Sequence, residues 1–107
     1  MNEHALPPDL AGLCADLATE LDEVTSSTDG GVVGYARGGA DFARLDGAVL
    51  RVRLPVDIAE AALNTPDTAL DPDDRGWLVF SPTDDERHVA DRASAWFRIA
   101  WKHAGDN

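Results

Sequence analysis

GVVGYARGGADFARLDGAVLRVRLP, residues 31–55, decides the fold, because its apolar residues recur every second position and its punctuation is glycine. Three short segments, 31–38, 40–45 and 48–55, are rich in Val, Leu and aromatic residues and are separated by Gly-Gly and Asp-Gly. That pattern predicts a three-stranded antiparallel meander, with a tight hairpin at Asp46-Gly47. In the last segment Leu50, Val52 and Leu54 alternate with Val49, Arg51 and Arg53. The two arginines are therefore expected on the face away from the core.

Outward from this meander the period changes to that of helices. PPDLAGLCADLATELDEV, residues 7–24, repeats Leu10, Leu13, Leu17, Leu21 and Val24 at three- and four-residue steps behind Pro8 and Asp9, which predicts a first helix. TSSTDGG, residues 25–31, breaks it. On the other side Pro55 ends the strand, and VDIAEAAL, residues 56–63, reads as a two-turn helix with Ile58, Ala62 and Leu63 inward. Residues 64–75 hold two prolines and four aspartates without any period, so a surface loop is expected. GWLVF, 76–80, is a nearly continuous apolar run, predicting a fourth strand buried on both faces or central in the sheet.

Thr83 and Glu86 form a T-x-x-E capping box that opens the last helix. Along it Val89, Ala93, Trp96, Phe97, Ala100 and Ala104 share one arc, while Glu86, Asp91, Ser94, Arg98 and Lys102 point away and Trp101 falls at the edge. The order α-β-β-β-α-β-α predicts an α+β fold: a mainly antiparallel sheet of about four strands with helices packed on one face.

The order and several motifs resemble a known group. The Gly-rich strand leading to DFARL, the LRVRLP strand, the short helix, GWLVF and the final helix containing AW are similar to the YjbR/MmcQ-type small proteins, over residues 31–104. They are also similar to the small luciferase-family domains with an EFAHL…LP…GW pattern. The resemblance implies a CyaY-like α+β fold. It also implies DNA binding, a role proposed for those families from their fold. Luciferase-type relatives place a histidine where this chain has Arg44 or Asp46, so no catalytic residue carries over.

Composition bounds the rest. A chain of 107 residues, 44% hydrophobic, suits one domain spanning 1–107, with residues 1–7 and 105–107 as flexible tails. The single cysteine, Cys14, cannot form an internal disulfide, and the N-terminus lacks a charged region followed by an apolar one. No apolar run approaches the ~18 residues of a membrane span. A cytoplasmic protein with no membrane partner is expected. Twenty acids against nine Lys and Arg give a net charge of -11, which repels nucleic-acid backbones. Such acidity with a single Lys suits a high-salt cytoplasm, and an ordinary acidic domain shares it.

Candidate chemistry is sparse. DPDDRG, residues 71–76, opens like a calcium loop, but Arg75 fills the fifth position and Pro82 the twelfth. His4, His88 and His103 have no metal-ligand spacing, Cys14 has no basic neighbours, and Ser26, Ser27, Ser81 and Ser94 lack a nucleophile elbow. GGVVG lacks the Lys-Ser/Thr of a phosphate loop. No metal, cofactor or catalytic residue is therefore assigned.

One asymmetry remains, since Arg37, Arg44, Arg51 and Arg53 face only Asp41 and Asp46 between residues 37 and 53. If Tyr35 and Arg37 lie beside Arg51 and Arg53, the meander presents a cationic and aromatic surface suited to carboxylate or phosphate. Residues 67–86, with seven acids and one Arg, would make the molecule electrically two-sided. The expected function is a non-catalytic interaction module that binds a protein partner or a second copy through Tyr35, Arg37, Arg51 and Arg53. The alternative is an enzyme or small-ligand protein with an apolar pocket between the sheet and the last helix, lined by Trp77, Trp96 and Trp101. DNA binding ranks third on charge.

Overall fold

The computed structural model describes residues 10–47, 49–65, 67–74, 76–82 and 87–105. The chain runs α1 (Leu10–Glu20), β1 (Val24–Asp29), β2 (Val32–Arg37), β3 (Ala40–Asp46), β4 (Val49–Arg53), α2 (Val56–Ala62), β5 (Thr68–Leu70), β6 (Trp77–Phe80) and α3 (Arg87–Gly105). The six strands form one antiparallel sheet in the order β1-β2-β3-β4-β6-β5. The α+β class and the meander stand as the sequence predicts. The count of about four strands rises to six, because two edge strands carry no apolar alternation.

The first is β1. Val24 opens it instead of ending α1, which stops at Glu20, and the reading of residues 25–31 as a break gives way to a strand and a two-residue turn. Gly30 and Gly31 turn at φ 61° and 88°, values that a side chain would disfavour. The second is β5, inside the stretch read as a loop, where Thr68, Ala69 and Leu70 pair with Phe80, Val79 and Leu78. The β3–β4 hairpin forms where the sequence predicts one but one residue later: Asp46 is still paired, with Val49, and Gly47, φ 61°, opens the turn.

The buried residues of all three helices join one cluster with those of the sheet. Leu10, Cys14 and Leu17 of α1, Ala59 and Ala62 of α2, and Val89, Ala93, Trp96, Phe97 and Ala100 of α3 meet Tyr35, Ala43, Leu45, Leu50, Val52, Leu78 and Phe80. The inward arc of α3 is thus as read from its period. In α2 the reading of Leu63 as inward is corrected: Leu63 lies past the helix end and is exposed, and Ala59 fills the inward position. The capping pair Thr83 and Glu86 and His4 lie outside the described residues.

A β-bulge sets the centre of the core. Tyr35 pairs with Ala43 but Ala36 pairs with Asp41, so the ladder skips Phe42. Phe42 and Ala43 are both fully buried, where strict alternation would expose one of them. The extra residue brings the Phe42 ring edge-on to Phe97, 5.1 Å between centroids, beside a Tyr35–Phe97 pair at 5.2 Å. Trp96 meets Phe80 in the same way at 5.0 Å.

Candidate functional site: the open face of the sheet

The strand register fixes which side chains share a face. Leu50 and Val52 pair with Phe80 and Leu78 under the helices, so Arg51 and Arg53, paired with Val79 and Trp77, stand on the opposite side. Arg44, paired with Arg51, joins them. No helix among the described residues covers this side. The expected placement of Arg51 and Arg53 away from the core therefore holds.

Tyr35 and Arg37 do not join them. Tyr35 pairs with Ala43, which pairs with Val52, so its ring lies on the helix side and is buried beneath Phe97. Arg37, two residues on, shares that side. Its guanidinium lies 4.0 Å from the Trp101 ring centroid, donates to the Trp101 carbonyl at 3.1 Å and pairs with Glu23 at 3.5 Å. There it neutralises carbonyls near the C-terminal end of α3. The patch of four residues expected from the sequence is thus divided between two faces.

The three tryptophans are divided as well. Trp96 fills the core. Trp101 closes the junction of α1, β1 and α3, its Nε1 donating to the Asp22 carbonyl at 2.8 Å. Trp77 is buried yet stands outside the core cluster, because it sits opposite Arg53 on the open face with the Arg44 guanidinium 4.9 Å over its ring. They line no common pocket. The cleft between β3 and the end of α3, about 80 Å³, has Phe42, Ala100 and Ala104 with Asp41, Arg53 and His103 on its walls.

The open face therefore carries Arg44, Arg51 and Arg53 around Trp77. Arg44 and Arg53 are exposed, and Arg44 leans to Asp41 at 3.5 Å. Arg51 is half-buried between them, and its buried Nε has no hydrogen-bond partner among the described residues. Beside Arg44, Gly34 has no side chain to fill the surface, which leaves an open depression of about 330 Å³ bordered by Ser27, Asp29, Val32 and Asp41. Sequence reasoning named two of these arginines as a surface and placed Trp77 in a pocket. The cation–π contact between Arg44 and Trp77 spans strands that are not neighbours, so no local pattern encodes it.

Elsewhere the aspartates of residues 71–74 serve the backbone. Asp71 Oδ1 accepts from Asp73 N at 2.9 Å and Asp74 Oδ1 from Gly76 N at 3.1 Å, which shapes the turn into β6. Among the described residues no group of three His, Cys, Asp or Glu is placed to hold a metal ion. Burial pushes the Cys14 thiol up to about 12, so its thiolate form is suppressed at neutral pH. Burial and, to a smaller degree, the charge of Cys14 raise Tyr35 too. No helix among the described residues is long and apolar enough to cross a membrane. Comparison with protein-family models, curated proteins and solved structures returns no match.

Proposed function

We propose that the protein is a small interaction module whose open sheet face takes an acidic segment of a partner protein, with Arg44, Arg51 and Arg53 grouped around Trp77 as the contact. One observation carries the reading: three arginines cluster around a tryptophan on a face that no helix among the described residues covers, in a chain whose net charge is -11. A guanidinium binds carboxylate through two parallel hydrogen bonds, and Arg is among the residues that dominate protein–protein contacts, while the buried Trp77 ring supports the Arg44 guanidinium from beneath. The reading retains the YjbR/MmcQ-type proteins as the expected relatives, and sets their DNA binding below protein binding because the overall charge opposes a phosphate backbone.

Titration with a glutamate-rich peptide, followed by amide chemical shifts, tests it. Shifts are expected at β3, β4 and β6, weakening with salt and lost in Arg44→Glu with Arg53→Glu while the melting temperature changes by a few degrees at most. The absence of shifts, or shifts centred on α1 and α3, would overturn it. Stronger shifts with duplex DNA at the same face would favour the phosphate reading.

A further inference from the structure

We infer that β1 is a self-association edge, through which two copies of this chain join their sheets side by side. The sheet has two edges, and they are built differently. At one, β5 is three residues long, flanked by Asp67 at φ 66° and by Asp71 and Pro72. The Thr68 hydroxyl is tied back to the Ala62 and Thr65 carbonyls at 3.2 and 2.7 Å. Short length, charge and proline are the devices that stop an edge from pairing with another strand. The other edge has none of them along its middle. β1 is six residues long, pairs with β2 without a register shift, contains neither Lys nor Pro, and is exposed at five positions. Every second residue of such a strand turns its N–H and C=O outward.

Charge selects the second copy as occupant. Two molecules at -11 each repel, and they can approach with least cost where no acid stands. Thr25, Ser26, Ser27 and Thr28 are four uncharged hydroxyl residues in a row. Glu23, just before them, is drawn to Arg37 at 3.5 Å. A two-fold axis normal to the sheet keeps like faces on the same side. Centred on Ser27, it sets Ser27 against the partner's Ser27, Ser26 against the partner's Thr28 and Thr25 against the partner's Asp29. No acid then opposes an acid, and hydroxyl pairs across strands are favourable. Such pairing is isologous and uses both β1 edges, while β5 stays closed, so assembly stops at two. Both arginine faces would lie on one side of the joined sheet. This goes beyond the partner site, since the pairing edge of β1 lies two strands from Arg44 on β3 and further from Arg51, Arg53 and Trp77, and only the depression bordered by Ser27 and Asp29 adjoins both.

Sedimentation velocity of the full chain, from micromolar to millimolar concentration in low and in molar salt, tests the inference. The mass should rise from one chain to two with concentration, and at lower concentration in molar salt, where repulsion is screened. Ser27→Asp, which sets two carboxylates opposite each other, and Ser26→Pro, which deletes an edge N–H, should each weaken the dimer by about tenfold or more with circular dichroism unchanged. Should Ser26→Pro fail to fold, Ser27→Asp alone decides. Ala69→Lys at the β5 edge should leave the dimer intact. A single-chain mass at every concentration and salt, a dimer indifferent to Ser27→Asp, or one abolished by Ala69→Lys would overturn it.

Discussion

Gly105 lies beside the Arg37 guanidinium, the far end of a flexible side chain, which an added side chain would push off the Trp101 ring, the Trp101 carbonyl and Glu23. A side-chain carbon there would collide with the Arg37 guanidinium. Replacing a helical glycine by alanine ordinarily gains up to about 1 kcal/mol. Gly105→Ala is expected to destabilise instead, and to become neutral or favourable in an Arg37→Ala background; thermal unfolding of the double-mutant cycle measures the reversal. Trp96→Ala removes a core ring set against Phe80 and should cost about 3–5 kcal/mol in chemical denaturation. Cys14 adds a pH dependence. Its pKa rises from the usual thiol value of 9.0 to about 12 on folding, because burial penalises the thiolate. The folded state therefore binds the proton more tightly. The associated stability is complete below pH 9.0 and is lost as the pH climbs toward about 12. Denaturation midpoints across that range should fall with pH, and less steeply in Cys14→Ala; an unchanged slope would remove the thiol from the account.

At the scale of elements, the edge strands show what periodicity can and cannot reveal. The meander and α3 are legible because each buries one face, and a buried face writes its period into the sequence. β1 buries almost nothing, so Thr25-Ser26-Ser27-Thr28-Asp29 carries a strand with no apolar alternation. β5 is too short to show a period. It is fixed by Thr68, whose hydroxyl bridges α2 to the strand, and Thr68→Val should cost about 1 kcal/mol in thermal or chemical unfolding. The candidate site was half legible for a related reason. Alternation within β4 turned Arg51 and Arg53 outward, but the face of Tyr35 depends on its register against β3, and one residue of register exchanges the faces. Nothing in the order of residues announces that register.

For the whole molecule, the excess of eleven negative charges is a load that the fold carries in any solvent. The exposed ion pair of Arg98 with Glu20, 3.1 Å, joins α3 to α1 but is worth little in water. Added salt should therefore raise the melting temperature, because screening relieves net repulsion more than it weakens the few exposed pairs. A melting temperature that falls between low and molar sodium chloride would show that the pairs outweigh the repulsion. The separation of the tryptophans also equips the protein with its own instruments. Trp77 lies under a cation on the open face, Trp96 in the core and Trp101 at the helix end. Variants keeping one indole at a time would let emission report separately on partner docking, on loss of the core and on fraying of the C-terminal turn, without any attached dye.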